Sequence, residues 1–286
     1  MILRLPRSLT AVFITLLLVP YCYNAQAKEY PERIVSLGPI NTENVFLLGA
    51  GDRLVANTHY CVRPEAAKTI EKIGSVMQIS IEKIIGLQPD LVLATGLTQM
   101  RQLKQLESVG IKVVQFKQPA SFADICTQFL QLGQLLGLEQ TANEIINKTK
   151  NKVVILQKKV SHLLKQKVFL QVGLQPMFSS VASSFTNDFI VLAGGSNIAS
   201  KQQNGIINNE KVIAANPDVI IIAIMGSESG IAAKEQERWM QIPVINAVQN
   251  NRVHVISPDI ACSPSPATFA ETLAIMADMI HPELNP

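Results

Sequence analysis

The segment "IEKIIGLQPDLVLA", Ile81 to Ala94, returns in altered form 128 residues later as "NEKVIAANPDVIIIA", Asn209 to Ala223. A helix-strand unit carried twice at that separation predicts two matched lobes, each burying its own sheet. In both copies a short helix runs up to a proline, Pro89 or Pro217, whose ring terminates it, and an aspartate then leads into an apolar strand. A glutamate stands seven residues before each proline, Glu82 and Glu210. It falls in the first helical turn, where a carboxylate suits the positive end of the helix dipole. The chain has 286 residues and 48% hydrophobic content, enough to bury two cores.

Around the repeats, short β-branched runs alternate with helical pieces, as in "RIVSLG", "RLVANTHY", "DLVLAT" and "KVVQF" in the first half and "VFLQVG", "MFSSV" and "RVHVIS" in the second. That alternation predicts an α/β fold with parallel sheets covered on both faces. Between the halves lies Glu139 to Lys167, without Gly or Pro, with apolar residues at 142, 145, 146, 153, 156, 160, 163 and 164. Spacings of three and four predict one bracing helix, roughly 40 Å long at 1.5 Å per residue. The expected division is a first lobe over 28–138, a connecting helix over 139–167, and a second lobe over 168–286.

Residues 1–27 read as an export signal: a positive start, the apolar stretch "SLTAVFITLLLVPYCY", and a small-x-small site at Ala25-Gln26-Ala27. Cys22 follows the bulky Tyr21, so a soluble periplasmic protein is expected rather than a lipid-anchored one. The formal charge is +3 and no run of Lys and Arg forms the footprint of a nucleic-acid binder. Beyond Cys22 three cysteines remain, Cys61, Cys126 and Cys262, which allow at most one internal disulfide; a bridge and buried free thiols both stay open. His162 and His281 read as solvated, and His254 as a core residue of an apolar strand.

Two α/β lobes joined by a long helix behind an export signal resemble the periplasmic binding proteins of ABC importers for cobalamin, heme and ferric siderophores. The stretches "RIVSLGPINTENVFLLGAGDRLVA", "IGSVMQISIEKIIGLQPDLVLA", "GIKVVQF", "KVFLQVGLQPMFS" and "NDFIVLAGGSNIA" carry the resemblance, which is greatest to the cobalamin receptors. It implies two Rossmann-like lobes of the class III arrangement. It also implies that Glu82 and Glu210 dock the receptor to arginines of an inner-membrane permease dimer, and that the bound ligand is a corrinoid or heme.

In such a fold the ligand sits outside the carboxyl ends of the strands, between the lobes. That places Pro39, Asn41, Tyr60, Cys61, Met77 and Thr95 at the cleft from the first lobe, and Met177, Phe178, Met225 and Cys262 from the second. Helix starts at Asn41 and near Thr186 would offer free N–H groups to an anion. Some heme receptors of the family use a methionine in the loop before the repeat helix, so Met77, or Tyr60 with its neighbour His59, is the candidate axial ligand. Cobalamin receptors line the cleft with tryptophans; here the single tryptophan, Trp239, lies elsewhere. Ferric siderophores and bare metal ions are the alternative cargoes. An exported enzyme is the remaining alternative, but the chain has no phosphate-binding loop, nucleophile elbow or zinc-helix motif and implies no catalytic cofactor.

Overall fold

A computed structural model describes residues 30–224 and 230–284. Ten strands are present among them: β1 Ile34–Ser36, β2 Leu54–Asn57, β3 Glu71–Lys72, β4 Leu91–Thr95, β5 Val113–Phe116, β6 Lys167–Leu174, β7 Met177–Ser179, β8 Ser196–Asn197, β9 Val219–Ile222 and β10 Val253–Val255. The helices are α1 Pro39–Leu47, α2 Ile81–Gly86, α3 Met100–Ser108, α4 Phe122–Leu136, α5 Glu139–Val160, α6 Phe185–Leu192, α7 Asn209–Ala215, α8 Ile231–Met240, α9 Asn246–Gln249, α10 Pro258–Ala261 and α11 Pro266–Ile280.

The first five strands form one all-parallel sheet in the order β3-β2-β1-β4-β5. The second sheet runs β10-β9-β6-β7, with β8 also paired to β6. It departs from the all-parallel expectation at β7, which turns back antiparallel on β6 through Gln175-Pro176.

The repeat has a shared structural basis. Asp90 accepts from the backbone N–H of Glu32 (2.8 Å) and Arg33 (3.1 Å), and Asp218 accepts from that of Lys167 (2.8 Å). Each aspartate therefore ties its own strand to the start of the neighbouring one. A cation completes the knot: Arg33 donates to the carbonyls of Leu87 and Gln88 at the end of α2, and Lys167 to that of Ala215 at the end of α7. Cations at carbonyl-rich helix ends also oppose the dipole favourably. The echo extends to Gly49 and Gly194, both left-handed (φ +84° and +78°) at the ends of α1 and α6.

Helix α5 is shorter than its apolar pattern predicts, ending at Val160 instead of Lys167. The stripe buries Ala142, Ile146, Val153 and Val160, but the chain must turn within six residues to enter β6. Leu163 folds back through its N–H to the Val160 carbonyl (3.1 Å), and Leu164 is left 80% exposed. The helix packs against α4 and α11, and one hydrophobic core runs through both lobes, from Ile34 and Leu91 to Val168 and Phe269. At its centre three rings stack: Phe122 on Phe269 (4.5 Å) and Phe269 on Phe189 (4.3 Å). The Phe122 N–H donates across to Asp188 (2.7 Å). Burial pushes the Asp188 carboxyl above its usual range, against that hydrogen bond.

His281, expected to be solvated, is fully buried instead. It caps the end of α11, lies within reach of Glu283 (3.4 Å), and packs against Gly194. The three cysteines are free, Cys61 and Cys126 buried and Cys262 half-buried.

Candidate ligand-binding site

Loops at the carboxyl ends of the first sheet meet the α10–α11 connection of the second lobe around a cavity of about 700 Å³. This is the size of a typical small-molecule site. Pro39 and Asn41 reach it from the start of α1. There Gly38 gives no side-chain cap, so first-turn N–H groups are left for a ligand acceptor. Asn41 itself is buried and its amide donates to the Ala94 carbonyl (3.0 Å), fixing the start of α1 against the end of β4. Thr95 closes β4 at the wall, its hydroxyl accepting from the Leu97 N–H (3.3 Å).

Tyr60 and Met77 protrude from separate loops, each 58% exposed, and both line the cavity. His59 lines it as well. Strand alternation would turn only one of His59 and Tyr60 inward, but β2 ends at Asn57 and both lie in the turn beyond it. The loop carrying them is pinned by Lys72, whose amine donates to Asn57 Oδ1 (2.6 Å) and to the carbonyls of Ala67 (2.9 Å) and Cys61 (3.3 Å). Burial lowers the pKa of that amine, with the Cys61 thiol opposing the shift.

Several expected cleft residues lie elsewhere. Cys61 is fully buried, its sulfur 3.2 Å from the Thr58 hydroxyl, because the chain turns inward after Tyr60. Met177 packs into the second lobe's own core, and Phe178 stands over Gly173 at the sheet edge. The reversal at Pro176 carries both away from the cavity. The start of α6 is closed to an anion, since the Ser184 hydroxyl already accepts from the Thr186 N–H (3.3 Å) and Thr186 is buried. Met225 lies outside the described residues. Trp239 is buried in the second lobe, its indole N–H donating to Gln171 Oε1 (2.8 Å).

Cys262 does line the cavity, on the second lobe. Burial, reinforced by Asp259, pushes its thiol up to about 12. At pH 8 the thiolate fraction is then about a thousandfold below that of an ordinary cysteine. We predict that Cys262 resists iodoacetamide at pH 8 and labels faster as pH rises, read by mass spectrometry; rapid labelling at pH 8 would contradict the buried setting.

The sequence left unnoticed a polar tie between the lobes. Arg63 pairs with Glu43 of α1 (2.5 Å) and donates to the Ser263 carbonyl of the second lobe (3.1 Å). Thr268 of α11 donates to the other Glu43 oxygen. The Thr268 to Glu43 bond joins residues 225 positions apart, which no local pattern reveals. Lys117, Gln118 and Pro119, beyond β5, also line the cavity and follow the same end-of-strand rule as Thr95.

Outside the cavity, Glu82 and Glu210 are exposed in the first turns of α2 and α7. Both helices are capped by the preceding polar side chain, Ser80 accepting from Lys83 N–H (3.3 Å) and Asn208 from Lys211 N–H (3.0 Å). The glutamates are thus free of capping duty.

The sequence pattern of periplasmic binding proteins matches residues 34–260. An uncharacterized ABC transporter substrate-binding lipoprotein of Bacillus subtilis is 30% identical over 264 residues, covering 90% of this chain and 82% of its own. A vitamin B12-binding protein of Yersinia pseudotuberculosis is 32% identical over 230 residues, 79% of each chain. Among solved structures, the periplasmic vitamin B12 binding protein of Vibrio cholerae superposes with a TM-score of 0.75 at 24% identity, over 90% of this chain and 99% of its own. A periplasmic heme-binding protein of Roseiflexus gives 0.77 at 22%, over 88% and 98%. These two likenesses establish the fold, the class III arrangement of two α/β lobes on one connecting helix. Pattern and relatives together make this chain a member of the periplasmic binding protein family.

Proposed function

We propose that the chain captures a metal chelate of the tetrapyrrole class, a corrinoid or heme, between its lobes and delivers it to an inner-membrane ABC permease dimer. The observation that carries this reading is the inter-lobe cavity, of suitable size and rimmed by the exposed Tyr60 and Met77. Its charges balance: Arg63 is committed to Glu43, and Lys117 is offset by Asp259. A near-neutral chelate suits such a wall better than a strongly anionic ferric siderophore, which needs unpaired guanidinium groups. Among the described residues no group of three or more His, Cys, Asp or Glu converges, so a bare metal ion draws no support there. The vitamin B12-binding relative favours the corrinoid, and the exposed Met77 thioether and Tyr60 phenol, either a possible axial ligand, favour heme.

In this reading the chain is a receptor with no catalytic step of its own, and ATP hydrolysis belongs to partner subunits. The mature lobes, 28–138 and 168–286 around the connecting segment 139–167, are exported behind residues 1–27 and work in the periplasm. The Bacillus relative is a lipoprotein, and Cys22 is where such an anchor would attach. The intact mass of the exported protein distinguishes a start at Lys28 from a lipidated Cys22.

The direct test is titration of the exported protein with hemin, cyanocobalamin and cobinamide, by absorption and calorimetry. One-to-one saturation with hemin that Met77→Ala or Tyr60→Phe weakens about tenfold or more assigns heme. Calorimetric binding of a corrinoid alone assigns the cobalamin branch. Silence from all three removes the tetrapyrrole reading.

A further inference from the structure

The connecting helix has a face that the cleft does not use. Between Glu144 and Asp188 the chain contains seven lysines and no carboxylate. Six of these lysines, at 148, 150, 152, 158, 159 and 165, are exposed, and none forms an ion pair among the described residues. Set among them are exposed apolar side chains: Val154, Ile155 and Leu164. Helical spacing puts Lys148, Lys152, Ile155 and Lys159 in one stripe, turned away from the buried Ala142, Ile146 and Val153. Beside that stripe a mainly carbon-lined groove of about 270 Å³ separates α5 from α11. Lys152 and Lys159 edge it, and Glu271 is the one carboxylate lining it. Helix α5 contributes nothing to the cleft cavity.

We propose that this face of α5 rests reversibly on an anionic phospholipid surface. A soluble polyanion would need only the cations. A bilayer interface takes cations and apolar side chains together, lysine ammonium groups on lipid phosphates and Ile155, in the same stripe, among the glyceride carbons. Each lysine near an anionic leaflet strengthens binding about fivefold, enough in combination for a weak, salt-sensitive association. With α5 against lipid, α4 and α11 lie between the surface and the cleft. The cleft mouth therefore stays open to ligand, and the receptor searches for its permease in two dimensions. None of this depends on which chelate the cleft takes.

The test is cosedimentation of the protein, exported behind its own leader, with vesicles of phosphatidylcholine alone or mixed with phosphatidylglycerol, at low and high salt. Binding to the anionic vesicles should exceed binding to the neutral ones and fall as salt rises. Lys148→Gln, Lys152→Gln and Lys159→Gln combined should weaken it about a hundredfold, and Ile155→Ser about fivefold. All four positions are exposed, and unchanged thermal midpoints will show that the variants fold. Equal partition into both vesicle types overturns the proposal, as does a triple variant that binds like the parent. Capture by soluble polyphosphate that matches the anionic vesicles and ignores Ile155→Ser would also overturn it, making the face a polyanion site.

Discussion

Replacing Glu82 and Glu210 together by alanine is expected to abolish uptake through the permease while leaving ligand affinity unchanged. Both carboxylates are exposed on the first turns of matching helices, one per lobe, and neither lines the cavity. The caps of those helices are Ser80 and Asn208, so the double variant loses only the favourable placement of a carboxylate at each N-terminus. That amounts to about 0.3–1 kcal/mol per site and leaves the fold intact. At the proposed docked interface the same truncation would strand a permease cation, at about 2–5 kcal/mol for each pair. The two sites lie on different lobes and share no partner, so their effects should add. Each single variant should weaken docking about thirtyfold or more, and the pair about a thousandfold. Reconstituted permease, assayed for transport and for receptor binding, checks the prediction. Undiminished docking would dismiss the glutamates as contacts, and lost ligand affinity would place them in the support of the site.

Where the sequence could be read and where it could not divides by the range of the interaction. The repeat helices and α5 are written in spacings of seven residues or fewer, and the sheets follow from short apolar runs, so the architecture was legible. The reach of α5 was not, because where a helix stops depends on where the next strand must begin. The cleft was legible only as far as strand ends define it. Tyr60, Met77 and Thr95 follow from that rule, whereas Cys61 fails because one turn past a strand is enough to reverse a side chain. Phe178 fails because an antiparallel return is indistinguishable, in a short apolar run, from another parallel strand. Glu43 with Arg63 was invisible for a different reason: each is an unremarkable charge until the fold brings the two together beneath the cleft. The repeat's aspartates were seen, but their task, holding the start of the neighbouring strand, belongs to pairing that no local pattern encodes.

The core shared between the lobes leads to the last prediction. In a two-lobed receptor built on loose hinge strands, closure by tens of degrees costs little because few buried contacts cross between the lobes. Here Phe269 of α11 is fully buried between Phe122 of the first lobe and Phe189 of the second, both within 4.5 Å by ring centroid. Opening the lobes would have to part that stack, the Phe122 to Asp188 hydrogen bond, and the Arg63 bridge to Ser263. Phe269→Ala should therefore destabilise the whole molecule by about 3–5 kcal/mol, the range for truncating a buried aromatic ring. Aromatic pairing adds about 0.5–1.5 kcal/mol for each stacked partner beyond the area lost. Phe269→Leu, which keeps most of the volume, should cost much less. Denaturant unfolding of both variants measures the difference, and a single transition in the parent would show the lobes melting as one unit. The same stack limits motion in the intact protein. Small-angle scattering with and without bound chelate should then give nearly superposable profiles, whereas a large contraction on binding, or a Phe269→Ala loss below about 1 kcal/mol, would mean that the aromatic stack is not what holds the lobes together.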